Sequence, residues 1–207
     1  MHISEGVLSG PVLISGMVLA AAGTAIGLRN LDYDRIPRIG ILSASFFVAS
    51  LIHVPIGVAS VHLILNGIVG LILGWGAFPA ILVALTLQAV LFQFGGITAL
   101  GVNTVIMASP AVFCYFLFGR LMVRKPSVAI PAAFAAGALS VLLAAILLGL
   151  ALIFTEEGFI KVSTLVVMAN LPVMAVEGVI TALCVAFLKK VQPAMLSWYS
   201  QSEGGGQ

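Results

Sequence analysis

Residues 61–92 read VHLILNGIVGLILGWGAFPAILVALTLQAVLF, a stretch without any Asp, Glu, Lys or Arg. The charge-free interval extends much further, from Arg38 to Arg120. A bilayer-spanning helix needs about 20 apolar residues, so this interval alone can cross a membrane several times. Because lipid offers the backbone no hydrogen-bond partners, the crossings must be helices or a closed barrel. Long runs of Leu, Ala, Val and Ile without alternation favour helices.

The composition of the whole chain indicates the same fold class. Of its 207 residues, 61% are apolar and 8% are charged, and the mean hydropathy is +1.23. A soluble domain carries about 25% charged residues. The net charge of +2 comes from short basic clusters between apolar runs, which gives no indication of nucleic-acid binding. We therefore predict an all-α, polytopic transmembrane bundle in contact with the lipid bilayer.

Charges, glycines and prolines divide the apolar runs into about seven predicted helices, the third of them short. The predicted helices cover Pro11–Leu28, Pro37–Leu51, His62–Leu73, Phe78–Phe94, Thr104–Leu121, Val128–Phe154 and Thr164–Leu188. Residues 1–201 are expected to form a single transmembrane domain. Residues 202–207, which are glycine-rich and polar, are expected to form a flexible tail.

The basic residues predict the orientation of the helices, because cytoplasmic loops are enriched in Lys and Arg. Eight of the nine basic residues follow the first, fifth and seventh predicted helices: Arg29, Arg35, Arg38, Arg120, Arg124, Lys125, Lys189 and Lys190. With seven crossings these helix ends share one face, and Lys161 lies on the other. We therefore predict an amino terminus outside and a carboxyl terminus inside.

Three segments that stand out from the apolar background fall on the predicted outer face. They are Met1–His2, the segment His53–His62 and the glycine-rich segment Gly95–Asn103. All three histidines of the chain lie in the first two segments. In a chain with so few polar residues, this clustering indicates a functional site on that face.

The pair Met1–His2 can chelate a metal ion if the amino group is free. Because His2 is bulky, we expect Met1 to be retained. The α-amine, the His2 amide nitrogen and the imidazole Nδ1 then bind one ion through fused five- and six-membered rings. Displacing an amide proton requires nickel(II), copper(II) or cobalt(II), and a fourth nitrogen from His62 or His53 would complete a tetragonal site. Since every ligand loses a proton, affinity should rise with pH.

The residues alone leave other interpretations open. A histidine at position two is accidental in most proteins, and His53 and His62 are each compatible with interfacial histidines that cap helix ends. The spacing of the histidines is therefore weak evidence for a metal. It mainly indicates a site on the outer face.

Glu177 is an ionisable residue inside the last predicted helix. Such a residue at membrane depth is costly and is a functional hypothesis by default. Its candidate partners are a histidine, Asn66, Gln88 or Asn170. The alternative is a protonated carboxyl that bonds a neighbouring helix without any functional role.

Small residues crowd the first predicted helix, among them Gly16, Ala20, Gly23 and Gly27. Small residues four positions apart allow another helix to approach closely. They are expected either to pack within this chain or to form a docking face for a partner subunit.

With these residues in hand, the sequence resembles the CbiM/NikM family over nearly its whole length. This family comprises the substrate-binding membrane subunits of energy-coupling-factor (ECF) transporters for cobalt and nickel. The motifs that carry the resemblance are MHISEGVL at residues 1–8, SVHLILNG at residues 60–67, GGITALGVN at residues 95–103 and Glu177-Gly178.

The resemblance implies a metal site. Its ligands would be the terminal amine of Met1, the backbone and side-chain nitrogens of His2, and His62. The amino-terminal segment would enter the bundle from outside. His53, Asn66, Asn103 and Glu177 are candidates for groups that orient these ligands.

The resemblance also implies partners and a location. The chain would bind nickel(II) or cobalt(II) as its transported substrate in a prokaryotic cell membrane. A membrane coupling subunit and cytoplasmic ATPase subunits would drive uptake, and a small accessory membrane subunit belongs to the set of candidate partners. No G-x-x-x-x-G-K-[ST] motif occurs in this chain, which agrees with an external source of energy.

One departure from the family concerns the metal. The best-known cobalt members carry a Ser-His-Pro-Thr-Gly run around the later histidine, and here Ser60-Val61-His62-Leu63-Ile64 stands in its place. His62 is retained, so the predicted ligands are unaffected. The identity of the metal stays open between cobalt and nickel, with a planar four-nitrogen site favouring nickel.

Two other functions are alternatives. One is an intramembrane metalloenzyme that uses His53, His62 and Glu177, although the chain has no H-E-x-x-H motif. The other is an ECF subunit that binds a vitamin, which would need an aromatic pocket. Only 8% of the residues are aromatic, and most of these are dispersed Phe.

Overall fold

A computed structural model of the chain describes residues 2–51, 53–56 and 59–196, and α-helices dominate it. The α-helices are α1 Gly10–Arg29, α2 Ile36–Ala49, α3 Asn66–Leu73, α4 Ala77–Phe92, α5 Leu100–Cys114, α6 Arg120–Arg124, α7 Ala129–Ile153 and α8 Ile160–Val191. A π-helical segment, Tyr115–Gly119, joins α5 to α6. Three short strands complete the fold: β1 His2–Ile3, β2 His53–Ile56 and β3 Ala59–His62. The predicted tail, residues 202–207, lies outside the described residues.

The predicted fold class is confirmed, because apolar helices make up nearly the whole structure. In the described part of the chain, five helical segments are long and apolar enough to cross a membrane. They are Gly10–Arg29, Asn66–Phe92, Leu100–Met122, Ala129–Ile153 and Glu157–Val191. The helix α2 is shorter, at 14 residues. The count of about seven crossings and the orientation of the two ends stay predictions.

The segment Asn66–Phe92 is broken into two helices at Gly74, whose φ of 54° and ψ of −123° no helix can contain. Before the break, Gly70 of α3 lies against the backbone of Ala111 in α5. After the break, α4 starts beside Gly23 and Gly27 of α1. The other end of α4 reaches the amino-terminal segment. The chain therefore turns back at Gly74, and Asn66–Phe92, although long and apolar enough to cross a membrane, is not one continuous helix.

The small residues of α1 pack within this chain, as one of the two alternatives predicted. Gly16 lies against Val102 of α5, and Gly23 lies against the ring of Phe78 in α4. Gly27 contacts the carbonyl oxygen of Trp75. A Cβ atom at any of the three glycines would overlap its neighbour, so α1 approaches α4 and α5 as closely as backbone allows.

The helices α7 and α8 form an antiparallel hairpin that also holds the start of α3. A Cβ at Gly137 of α7 would lie 2.7 Å from the carbonyl oxygen of Glu177 in α8. A Cβ at Gly67 of α3 would lie 2.5 Å from the Cα of Gly137. This close packing fixes the first turn of α3 against both helices.

A small antiparallel sheet, in the strand order β1–β3–β2, was not predicted. His2 pairs with Ser60, and His53 pairs with His62. Pro55 lies on the edge strand β2, where a residue without an N–H is tolerated. The predicted helix His62–Leu73 is therefore wrong in its first four residues, because β3 ends at His62 and Leu65 takes a left-handed φ of 56° before α3 begins.

Candidate metal centre

The amino-terminal segment is buried inside the helical bundle. His2 is 5% exposed and Ile3 is fully buried. The Ile3 N–H donates to Oδ1 of Asn103 at 2.9 Å, and Nδ2 of Asn103 donates to the Ile3 carbonyl at 3.2 Å. The Asn103 side chain thus takes the place of a neighbouring strand and holds β1 on the side opposite β3. Met1 lies outside the described residues.

The glycine-rich segment forms a loop that lies directly against β1. Gly95 and Gly96 have φ angles of 77° and 78°, which side chains rarely adopt. A Cβ at Gly95 would lie 3.0 Å from Nδ2 of Asn103 and 3.3 Å from Cδ2 of His2. A Cβ at Gly96 would overlap Glu5. The two glycines therefore let the loop pack onto the amino-terminal segment.

Two of the three histidines meet at this place. Nδ1 of His2 lies 3.1 Å from Nε2 of His62, and the ring centroids are 4.6 Å apart. Both side chains are buried. The third histidine, His53, is described only by its backbone, which pairs with His62 in the sheet.

The tautomer of His2 follows from a chain of hydrogen bonds that ends on α2. Ser50 Oγ donates to the Phe46 carbonyl at 2.8 Å, so it accepts from Nε2 of Gln88. With its amide nitrogen used in this way, Gln88 turns Oε1 toward Nε2 of His2, at 2.7 Å. The proton of the neutral His2 ring is therefore on Nε2, and Nδ1 carries a lone pair.

The tautomer of His62 follows from a bond to its own backbone. Nδ1 of His62 lies 2.9 Å from the Leu63 carbonyl oxygen, which can only accept. The proton of the neutral His62 ring is therefore on Nδ1, and Nε2 carries a lone pair. Both lone pairs point into the 3.1 Å gap between the rings.

Two lone pairs that face each other repel unless a cation lies between them. Burial lowers the pKa of His62 to about 4, so the His62 ring is neutral at neutral pH. A metal ion bound by both nitrogens would relieve the repulsion. With metal–nitrogen bonds of about 2.0–2.1 Å, a separation of 3.1 Å corresponds to an angle of roughly 100° at the metal. The two nitrogens are thus close enough to bind the same ion.

Among the described residues, no group of three or more His, Cys, Asp or Glu side chains gathers at one place. The two imidazoles are the side chains that the described residues bring together at this site. The chelate predicted for the amino terminus would add ligands from Met1 and the His2 backbone.

Comparison with known proteins gives the family of this chain. Residues 2–195 match the family model CbiM, described as the cobalt uptake substrate-specific transmembrane region. The chain belongs to the CbiM family. The resemblance inferred from the sequence is thereby confirmed.

Two relatives and one solved structure extend this result. A Haemophilus influenzae protein with the provisional name metal transport protein is 41% identical over 202 residues, covering 95% of this chain and 97% of its own. A provisionally named fused nickel transport protein of Archaeoglobus fulgidus is 34% identical over 204 residues, covering 95% and 68%. The crystal structure of a transition metal transporter matches with a TM-score of 0.81 at 29% identity, covering 92% and 93%. This CbiM-family chain is therefore a multi-pass membrane protein of a cobalt and nickel transport family, and a transporter rather than an enzyme.

Glu177 of this CbiM-family chain does not hydrogen-bond the side chains of Asn66, Gln88 or Asn170, three of the partners suggested from the sequence. Its buried carboxylate accepts from the Ile64 N–H through Oε2 at 3.2 Å. Gln88 bonds His2 instead, and Asn170 donates to the Val166 carbonyl of its own helix. Asn66 is buried at the start of α3, and neither atom of its amide has a hydrogen-bond partner among the described residues.

The sequence analysis missed the roles of Gln88 and Ser50. Both are fully buried polar residues in apolar surroundings. That property was the available signal, since polar groups inside a membrane protein need partners. It did not indicate which partner, because Gln88 and His2 are 86 positions apart.

Proposed function

We propose that this chain is the substrate-capture subunit of an ECF-type importer for nickel(II) or cobalt(II). The ligands would be the Met1 amine, the amide nitrogen and Nδ1 of His2, and Nε2 of His62. The observation that carries the proposal is the pair of facing lone pairs, 3.1 Å apart and buried. Histidine binds a metal as a neutral imidazole, through one ring nitrogen, while the other ring nitrogen donates a hydrogen bond to the protein.

The geometry of the chelate agrees with the spacing of the rings. In the fused-ring chelate, the His2 amide nitrogen lies between the amine and Nδ1, so His62 takes the corner opposite the amide. That corner neighbours Nδ1 of His2. Opposite corners would separate the two imidazole nitrogens by about 4 Å, whereas neighbouring corners give about 3 Å. The observed 3.1 Å supports the second arrangement.

The choice of metal rests on geometry. Four nitrogens in a plane suit nickel(II), which favours square-planar sites. The family description names cobalt and the Archaeoglobus relative is named for nickel, so we keep both as substrates.

Transport would require partners. The full sequence contains no G-x-x-x-x-G-K-[ST] motif, so cytoplasmic ATPase subunits would supply the energy. A membrane coupling subunit would link them to this chain, with a small accessory membrane subunit as a further partner. The assembly would lie in the inner membrane of a prokaryotic cell, capturing the ion from outside and releasing it inside.

The test is the metal content of the purified protein after exposure to equimolar nickel and cobalt, with two glycines placed before Met1. Two are needed because a single added residue puts the histidine third, where the amine, two amides and the imidazole chelate a metal on their own. The matched control carries two glycines after Gln207 instead.

We expect about one ion per chain in the unmodified and control proteins and none in the protein extended at Met1. The ion retained identifies the preferred metal. Equal metal content in all three would exclude the Met1 amine as a ligand and would overturn the proposed ligand set.

A further inference from the structure

A single peptide group connects Glu177 to His62. The carbonyl of Leu63 accepts the Nδ1–H of His62 at 2.9 Å. The N–H of Ile64, which belongs to the same peptide group, donates to Oε2 of Glu177 at 3.2 Å. A carboxylate, a peptide group and an imidazole thus form a continuous hydrogen-bonded row.

Such a row polarises its middle member. A carboxylate on the N–H side shifts electron density toward the carbonyl oxygen, which then accepts more strongly from the imidazole. A stronger bond at Nδ1 makes the opposite nitrogen a better metal ligand, as in carboxylate–histidine–metal triads. In this protein the peptide group would transmit the effect that a carboxylate exerts directly in those triads.

Burial preserves the interaction. Glu177 and Ile64 are fully buried, and His62 is 3% exposed. Electrostatic interactions between buried groups are screened far less than those in water. The Glu177 side chain also faces the amide groups of Leu65 and Asn66 at the start of α3, and these amides favour its ionised form against the opposing effect of burial.

Helix packing sets the position of the carboxylate. Gly137 of α7 leaves room for the backbone of Glu177, and Gly178 lies against Phe134 of α7. Because Gly67 also packs on Gly137, the same contact fixes α3 and the turn after His62. The two ends of the row are therefore held by one rigid junction of α3, α7 and α8.

We propose that Glu177 is a positioning residue that acts on His62 through the Leu63–Ile64 peptide group and strengthens its Nε2 as a metal ligand. The inference rests on the proposed function, because it needs His62 to bind the metal. A purely structural Glu177 would cap α3 and have no effect on the metal beyond that.

The first experiment compares Glu177→Gln with the wild type in nickel affinity, measured by competition with a coloured chelator. The amide keeps the size and an acceptor for Ile64 but removes the charge. We expect nickel binding about 10-fold weaker, at the low end of the effect of losing a partner of a metal ligand. We also expect the visible absorption band of bound nickel to shift to longer wavelength, since a weaker donor reduces the ligand field. The matched control is Ser163→Ala in the same helix, because Ser163 is also buried but donates to the Gly149 carbonyl, away from the junction; this variant should bind as the wild type does.

The second experiment repeats the comparison in a His62→Ala background. If Glu177 acts through His62, Glu177→Gln has no further effect there. The same 10-fold loss in that background would overturn the inference, as would wild-type affinity in the single variant. If Glu177→Gln does not fold, Glu177→Asp gives the same test, because it withdraws the carboxylate from Ile64 by one methylene. A wild-type protein that binds no metal would instead refute the proposed function itself.

Discussion

Gln88→Leu tests whether the hydrogen bond to His2 selects the tautomer that binds metal. Without Oε1 of Gln88, the Nε2–H of His2 has lost its acceptor at 2.7 Å. The proton of His2 is then better placed on Nδ1, where it can donate across the 3.1 Å gap to Nε2 of His62. That arrangement relieves the facing lone pairs but places a proton on the nitrogen that should bind the metal.

The size of the loss in nickel affinity follows from the free energy needed to reverse this preference for Nδ1. Metal binding would force the proton back to Nε2, where a buried donor without an acceptor costs about 1–3 kcal/mol. At about 1.4 kcal/mol per tenfold, nickel affinity should fall by about 5- to 140-fold. Because a tautomer shift neither takes up nor releases protons, this loss should be the same at every pH between 7 and 9.

The assay is nickel competition in detergent solution, supported by thermal unfolding of the metal-free proteins. Gln88→Glu keeps an acceptor for Nε2–H and should bind at least as tightly as the wild type. Thr86→Val is the matched control on the same helix, because Thr86 bonds only its own helix, at the Leu82 carbonyl, and is exposed.

Two results would refute the reasoning. One is wild-type affinity in a folded Gln88→Leu protein, which would show that His2 binds metal without help from α4. The other is an equal loss in Gln88→Glu and Gln88→Leu, which would indicate a general disturbance of packing rather than a selected tautomer.

Three further predictions concern the same region. Asn103→Ala removes both bonds to Ile3, each worth about 0.5–1.5 kcal/mol, so nickel titration should show binding about 5- to 140-fold weaker. Unchanged nickel affinity would mean that pairing with β3 is sufficient to hold β1 in place. Gly95→Ala forces a side chain into a φ of 77° at a cost of about 1–3 kcal/mol and should lower the unfolding temperature, whereas Gly10→Ala, with open space around it, should not. Because the pKa of His62 is lowered from 6.5 to about 4 in the folded protein, unfolding takes up a proton between pH 6.5 and 4. The metal-free protein should therefore lose about 2 kcal/mol of unfolding free energy between pH 7 and 5 relative to His62→Gln, and a constant difference across that range would contradict the assignment of a neutral, buried His62.

The helices could be predicted from the sequence because the membrane restricts what the backbone can form. Val128–Phe154 was predicted and Ala129–Ile153 is observed; Pro11–Leu28 was predicted and Gly10–Arg29 is observed. In both cases the apolar run ends where the helix ends. Composition alone sets these boundaries, since an unpaired backbone in lipid is too costly to tolerate.

The hairpin of β2 and β3 could not be predicted in the same way. Each strand has four residues, too few for a reliable period, and the third strand β1 has only two. One partner of β3 is β1, which lies 58 positions earlier in the chain, because His2 pairs with Ser60. The sheet depends on tertiary contacts, which single-sequence patterns do not record.

The same distinction between local patterns and tertiary contacts applies to the candidate site. His2 and His62 were predicted from their chemistry and from the family resemblance, and the structure places their rings together. Asn103 and Glu177 were among the residues predicted to orient the ligands, whereas Gln88 was not. The hydrogen-bond partner of Glu177 is a backbone amide, which has no signature in the sequence, and Gln88 reaches His2 across the bundle.

The two imidazoles are oriented by different parts of the bundle, and this has a consequence for metal release. His2 is held by Gln88 of α4 and, through β1, by Asn103 of α5, whereas His62 is held by the turn before α3 that Glu177 of α8 fixes. A planar four-nitrogen site tolerates little change in the 3.1 Å spacing, since each metal–nitrogen bond is close to 2 Å. A relative shift of α4 and α3 by even 1 Å would therefore break the site without breaking any hydrogen bond that sets a tautomer. If the chain captures metal as proposed, the empty pair would keep its facing lone pairs after such a shift and could bind the next ion.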